Sequence, residues 1–268
     1  MKVRNIGAKG IVKTIRDKKG VQTQISDTDR QKLSRVIDLL VPFVPNDWIG
    51  EIGKYDTITA DELWFILVVQ FCVIGSAERI GRIENNPDEY EKFKKAVSFS
   101  IVTNQQHRLP YLSEKLSKAT RFYNKRANDL LAILNSSTVF RNGKVVLFDG
   151  LSHTNDVNLT RDEIVKRCPG FNLKSASDFM ISVGLSHNVI ALDTRIVGFF
   201  RKYFDYNVEA GHIQGNRGYY FSLEAALREF CQEKGISLAL LDRVIFNFSG
   251  LNLLGFLIDN PTFPQKSG

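Results

Sequence analysis

The chain has 268 residues, 43% of them hydrophobic and 11% aromatic, with a formal net charge of +7 at pH 7, enough apolar content to bury a core in one large or two interlocked domains. The longest apolar run, Leu63 to Ile74, is interrupted by Gln70 and falls short of the roughly 20 residues that span a bilayer, so no membrane segment is expected. Three scattered cysteines, Cys72, Cys168 and Cys231, offer no metal-ligand spacing and fit a reducing compartment; an iron–sulfur cluster needs four cysteines, and neither metal nor cofactor is expected.

The start, "MKVRNIGAKG", is basic but lacks the apolar stretch of a secretory signal, which predicts an intracellular location. Residues 1–24 hold seven Lys/Arg against Asp17 alone, so nearly all the net charge belongs to an N-terminal arm. Such an arm reads either as a solvated tail or as a phosphate-contacting segment. Within it, "GIVKTIRDKKGVQTQI" alternates on both sides of a polar, glycine-ended turn and predicts a small hairpin over 1–25.

Helix signals then dominate. "DRQKLSRVIDLLVPF" is amphipathic and stops near Pro42. Thr59 and Glu62 have capping-box spacing ahead of "LWFILVVQFCVI", which is apolar on nearly every face and predicts a buried central helix. "YLSEKLSKATRFYNKRANDLLAIL" continues the helical period, with a break near Arg121. Around Asn142-Gly143, the strongest short turn signal, "STVFRNGKVVLFDG" predicts a β-hairpin over about 138–148. Helix resumes at Thr160, with a second capping-box spacing to Glu163, through "RDEIVKRC".

The most informative stretch is "PGFNLKSASDFMISVGLSHNVIALDTRI", 169–196. One helix ends at Pro169-Gly170, and the next starts near Lys174 with Ala176, Phe179, Met180 and Val183 on one face, giving a helix-hairpin-helix over about 160–184. Gly170, and to a lesser degree Asn172, tolerate positive φ in the turn, so that backbone amides of Gly170, Phe171 and Asn172 can point outward at a phosphate; the hairpin reads either as a contact to DNA backbone that does not read sequence or as an ordinary glycine turn between helices. Lys174 lies near the positive end of its helix dipole, where an ammonium is disfavoured and the neutral amine favoured. Asp193 directly precedes "TRIVGFFRKYF" and reads as an N-cap, a role compatible with catalysis.

The pattern P-G-x-x-x-K-x-A, with an aspartate nineteen residues beyond the lysine, resembles the helix-hairpin-helix DNA glycosylase superfamily, and within it the bifunctional glycosylase/AP lyases that include the 8-oxoguanine DNA glycosylases. "DELWFILVVQFCVIGSAERIGRI" is similar to the superfamily's buried helix and following turn, and "RFYNKRA" to a segment of its helical barrel, so that the resemblance covers about 55–250. Asn172 stands where a second glycine is usual, and the 138–148 hairpin resembles an insertion.

The resemblance implies a mainly α, two-lobed helix-hairpin-helix glycosylase fold with small β-hairpin additions: one lobe from 26–75 plus 215–268, the other from 76–214. It implies base-excision repair of double-stranded DNA by a monomer, with Lys174 attacking C1′ of a damaged nucleotide, best guess 8-oxoguanine, to form a Schiff base that permits β-elimination, and Asp193 stabilising positive charge at the sugar. Gln70 matches a gap-filling position, and Phe122 and Phe246 match positions for stacking on a flipped base. Plain core roles stand beside these readings, as do a non-catalytic DNA-binding hairpin and a glycosylase for another modified base. His107, His153, His187 and His212 form no metal pair, and "GHIQGNRGYY" reads as a connector.

Overall fold

The computed structural model describes residues 4–6, 12–17, 20–45, 48–75, 77–151, 156–206 and 208–248, with the backbone alone for 4–6, 12–17 and 20. His153 and the part of the end-built lobe beyond 248 lie outside them. In chain order the elements are β1 (Arg4–Ile6), β2 (Val12–Asp17), β3 (Gly20–Ile25), α1 (Asp27–Leu40), α2 (Ala60–Val73), α3 (Glu78–Glu84), α4 (Pro87–Ala96), α5 (Phe99–Thr103), α6 (Arg108–Leu116), α7 (Tyr123–Leu134), β4 (Phe140–Arg141), β5 (Lys144–Val145), α8 (Val157–Arg167), α9 (Leu173–Ser182), α10 (Thr194–Tyr203), α11 (Ala210–Gly215), α12 (Arg217–Lys234) and α13 (Leu238–Phe248). The fold is mainly α with small β additions. No helix among the described residues is long and apolar enough to cross a membrane.

The chain divides into two units, one from both chain ends, 1–49 with 186–268, and one from 50–185. These boundaries differ from the expected 26–75 plus 215–268 and 76–214, for a packing reason. α2 makes its contacts with α3, α5, α7 and α9, so it belongs with the middle of the chain, while α10 packs on α11 and α13 and belongs with the ends. Hydrophobicity marks α2 as buried, but cannot say which helices bury it.

In the 50–185 unit the central helix forms as its sequence dictates. Thr59 Oγ1 accepts from the Glu62 amide at 3.2 Å and the Glu62 carboxylate accepts from the Thr59 amide at 2.8 Å, closing the capping box. Leu63, Trp64, Leu67, Val68, Phe71 and Cys72 are all fully buried, and the Trp64 indole nitrogen donates to the Val97 carbonyl at 2.7 Å. The expected break near Arg121 is present, since α6 ends at Leu116 and α7 starts at Tyr123.

The hairpin forms around Asn142 and Gly143, both at positive φ (52° and 73°), as a two-residue turn of that kind requires. Its strands are only two residues long, with Phe140 opposite Val145 and Arg141 opposite Lys144. So short a ribbon is marginal alone. It rests on the helical body through Phe140, whose ring centroid is 4.9 Å from Phe99 and 6.4 Å from Trp64.

In the unit built from the chain ends, the N-terminal hairpin carries an extra strand. β2 pairs with β3 from Val12↔Ile25 to Asp17↔Gly20, and β1 adds antiparallel to β2. The sheet lies on α12, where Ser222 Oγ donates to Thr23 Oγ1 at 2.8 Å. Arg30 of α1 holds Glu229 and Glu233 of α12, and Lys234 holds Asp38. β1 was not legible because three residues carry too little period to read.

Candidate active site

The helix-hairpin-helix is present within the 50–185 unit, with two local corrections. The first helix starts at Val157, capped by Asp156, whose Oδ1 accepts from the amides of Asn158 and Leu159 at 2.8 and 3.4 Å. Thr160 is therefore inside the helix, its hydroxyl bonded back to the Asp156 carbonyl, and makes no box with Glu163. Aspartate is as strong a cap as threonine and stands one turn earlier. Asn172, expected to share positive φ in the turn, is extended (φ −122°, ψ −175°) and caps α9. Its side chain accepts from the Ser175 amide at 3.0 Å, and Ser175 Oγ accepts from the Asn172 amide at 2.8 Å. Gly170 alone in this turn is left-handed, at φ 93°.

The turn is held from beneath by Phe171. Its ring is buried, stacked on Phe71 of α2 at 5.1 Å and edge-on to Phe179 of α9 at 5.7 Å, so Phe171 has only backbone to offer a ligand. Ala176, Phe179, Met180 and Val183 are fully buried, as their spacing predicts. The far end of α9 is fixed by backbone-to-backbone contact: the Gly50 amide donates to the Ile181 carbonyl at 3.1 Å and the Gly53 amide to the Gly184 carbonyl at 3.0 Å. A Cβ on Gly184 would lie 1.7 Å from the Glu51 carbonyl oxygen.

Lys174 is the second residue of this anchored helix. Its side chain is 19% exposed, and Nζ lies 3.5 Å from Oδ2 of Asp178, one turn on and itself 16% exposed. Sequence reading missed Asp178; its signal was the i,i+4 spacing from a lysine already singled out.

Asp193 belongs to the other unit, where buried polar side chains present it. Ahead of it, 189–192 is fully or almost fully buried without regular structure, so its amides and carbonyls need partners. The Ile190 amide donates to Glu224 at 3.3 Å, the Ala191 amide to Asp242 at 2.7 Å, and the Tyr220 hydroxyl to the Ile190 carbonyl at 2.6 Å. Asp193 then caps α10, its Oδ1 accepting from the amides of Arg195 and Ile196 at 2.9 Å each.

The other expected site residues are differently placed. Gln70 is buried, 6% exposed, and its Oε1 has no hydrogen-bond partner among the described residues, so it is not presented to a ligand in this conformation. Phe122 is 48% exposed, with the guanidinium groups of Arg121 and Arg126 each 5.9 Å from its ring centroid. It backs onto Gly75, where a Cβ would lie 3.0 Å from Phe122 Cε2. Arg126 is buried and donates to the Ile74 carbonyl and to Asp129, which bonds the wall behind Phe122 to the end of α2. In the unit of the chain ends, Phe246 lies under the Arg195 guanidinium at 4.3 Å, in a groove of about 380 Å³ that Thr194, Lys202 and Tyr203 also line. A wider hollow of about 590 Å³ lies beside the hairpin, lined by Tyr55, Asp56, Lys144 and Phe148 among others.

Among the described residues no group of three His, Cys, Asp or Glu could hold a metal ion. The three cysteines are free and buried. His107 precedes α6, His187 accepts the Ala239 amide through its carbonyl, and His212 meets the Tyr219 ring edge-on.

A family model described as 8-oxoguanine DNA glycosylase matches residues 56–236, two thirds of the chain and the whole of the helix-hairpin-helix. The chain belongs to the 8-oxoguanine DNA glycosylase family. Solved structures share its fold. The 8-oxoguanine DNA glycosylase of Methanocaldococcus jannaschii superposes with a TM-score of 0.59 at 19% identity, over 82% of this chain and 93% of that one. The 8-oxoguanine glycosylase/lyase of the same organism in complex with a 15mer DNA containing 8-oxoguanine gives 0.56 at 18%, over 83% and 97%. The 8-oxoguanine DNA glycosylase of Thermotoga maritima gives 0.56 at 18%, over 82% and 94%. No curated protein matches. The DNA-repair family, the helix-hairpin-helix and the DNA-binding class agree with the expectation from the lysine–aspartate spacing.

Proposed function

We propose that this protein is a bifunctional DNA glycosylase/AP lyase that removes 8-oxoguanine from double-stranded DNA, acting as a monomer through an amine of its own. The observation that carries the reading is the position of Lys174, part-buried in the first turn of α9, immediately after the Gly170 turn and on a helix anchored at both ends. The turn's amides hold a phosphate at the positive end of the helix, which brings the sugar of that nucleotide to the lysine. The neutral Nζ forms a bond to C1′ as the bond to the base breaks. The resulting Schiff base acidifies the 2′ hydrogen and opens the way to β-elimination of the 3′ phosphate. Asp193, with Oδ1 occupied by the cap bonds, is a fixed negative charge that stabilises the positive charge developing at the sugar.

Flipping leaves a gap in the duplex. Phe122, half exposed and braced by Gly75 and two arginines, is the proposed wedge in place of the buried Gln70, and Arg121 beside it is suited to phosphate or to the unpaired base. Phe246 is the proposed platform for the flipped base, with Arg195 supplying N–H donors at the same place.

Borohydride trapping tests the reading. Wild type is expected to form a covalent adduct with 8-oxoguanine duplex, and Lys174→Gln to lose adduct and strand scission while retaining DNA binding. Asp193→Asn keeps an oxygen that caps α10, so the fold persists while turnover falls by about two orders of magnitude or more. DNA binding without any adduct from wild type would instead mark a non-catalytic DNA-binding hairpin; an adduct with another lesion but not 8-oxoguanine would change the substrate alone.

A further inference from the structure

The nucleophile assigned to Lys174 has to lose a proton twice over: it reacts only as the neutral amine, and once bonded to C1′ its nitrogen is positively charged and must shed a proton before the sugar ring can open. Two carboxylates are candidates to receive it. Asp193 has Oδ1 committed to the amides of Arg195 and Ile196, and its proposed value lies in staying charged. Asp178 lies one helical turn beyond Lys174 on the same face, with Oδ2 3.5 Å from Nζ and only 16% of its side chain exposed. We propose that Asp178 is a further catalytic residue, the group that accepts the proton from Nζ of Lys174 and passes it to the sugar. The inference rests on the lysine-nucleophile reading above.

The step balances. The ammonium first releases one proton to solvent; the Nζ lone pair then forms the bond to C1′ while the C1′–N bond to the base breaks, its electron pair leaving with the base, which takes a proton from solvent. As that bond forms, the nitrogen gives one proton to the Asp178 carboxylate, so that the transfer belongs to the same step as base release. The protonated Asp178 then donates that proton to O4′ as the C1′–O4′ bond opens, and the nitrogen lone pair forms the C1′=Nζ bond of the Schiff base. Asp178 ends as it began, a carboxylate beside a cation.

An exposed i,i+4 ion pair on a helix contributes only a few tenths of a kcal/mol and has no preferred place. This pair is different in position: it occupies the first two turns of the helix that follows the phosphate-binding turn, and both partners are mostly shielded from water. A carboxylate there also attracts an ammonium, the unreactive form of the nucleophile. The two roles give opposite signs on its removal, which makes the proposal decidable. An aid to proton transfer predicts loss of rate; a mere counter-ion predicts gain.

The test is single-turnover excision from an 8-oxoguanine duplex by wild type, Asp178→Asn, Asp178→Ser and Asp178→Glu, with DNA affinity by anisotropy and adduct by borohydride trapping. Asp178→Asn keeps size and polarity but cannot take a proton, and is expected to slow base release and adduct formation about 100-fold, the range of general acid–base catalysis, at unchanged DNA affinity. Asp178→Ser is expected to behave alike, so that the answer does not depend on one variant folding, and Asp178→Glu to restore most of the rate. Rates for Asn and Ser equal to or above wild type overturn the proposal and leave Asp178 as the counter-ion of a resting ammonium. Absence of any adduct from wild type overturns the lysine-nucleophile reading itself; an adduct from wild type with unaffected Asp178 variants overturns only the role of Asp178.

Discussion

Gly170 is the residue on which the turn between α8 and α9 depends. At φ 93° it occupies backbone space that L side chains rarely adopt, and a Cβ there would lie 2.8 Å from a ring carbon of Phe71 and 3.0 Å from Oδ2 of Asp129. Strain and overlap act together, so Gly170→Ala is expected to lower stability by about 1–3 kcal/mol, read by urea denaturation, and to weaken DNA binding beyond what that loss explains. Phe122 is the contrasting case. Half exposed and resting on a glycine, it contributes little to the core; Phe122→Ala is expected to change stability by no more than about 1 kcal/mol while slowing excision from duplex DNA. Fluorescence of 2-aminopurine placed beside the lesion measures the flipping step directly. Normal flipping by the alanine variant would remove Phe122 from the wedge role.

At the scale of elements, the capping box of α2 can be tested through pH. The Glu62 carboxyl is held below its ordinary value of 4.5, first by the hydrogen bond from the Thr59 amide and then by that from the Thr59 hydroxyl. A carboxyl depressed in the folded state contributes stability above its unfolded value, and that contribution disappears as pH falls through the depressed one. Glu62→Gln is therefore expected to lower the melting temperature at pH 7 and to match wild type progressively below about pH 4. Thr59→Ala removes the other half of the box and is expected to cost about 1 kcal/mol at pH 7. The short hairpin raises a separate question, because Arg141 and Lys144 face each other across its turn while Phe140 ties it to Trp64 and Phe99. If the tip touches phosphate, replacing both charges with glutamine reduces the log–log salt slope of DNA binding by about one unit per lost contact. An unchanged slope with normal folding leaves the hairpin a cover for apolar surface.

The whole molecule offers three reporters of its own opening. Burial pushes the thiols of Cys72, Cys168 and Cys231 up to about 12, which leaves very little thiolate to react at neutral pH. Maleimide labelling of the native protein is expected to be slow at all three and complete on denaturation. Cys72 and Cys168 lie in the 50–185 unit and Cys231 in the unit of the chain ends, so pulse labelling in rising urea, read by mass spectrometry of peptides, follows each unit separately. Coincident curves indicate one cooperative transition, and early labelling of Cys231 an end-built unit that opens first.

What the sequence determined by itself is local. α2 and its cap, the break between α6 and α7, the Asn142-Gly143 turn, the buried face of α9 and the lysine–aspartate spacing follow from residue type and short-range period, because caps, turns and amphipathic faces are decided within one or two helical turns. Tertiary structure decided the rest. Contacts between α2 and α7 and α9, not the apolar run itself, assign α2 to the middle unit. The sequence offers Gln70 as a gap filler and Phe122 as a surface for stacking on a flipped base, but close packing buries the first and leaves the second exposed. Asn172 belongs to a cap and not to the turn, since Ser175 can reciprocate its hydrogen bond once α9 is anchored. Asp193 owes its presentation to Glu224, Tyr220 and Asp242, residues far along the chain whose polar groups satisfy a buried segment with no ladder of its own. Burial of a side chain and the partners of a buried backbone are properties of the assembled chain, and no local period encodes them.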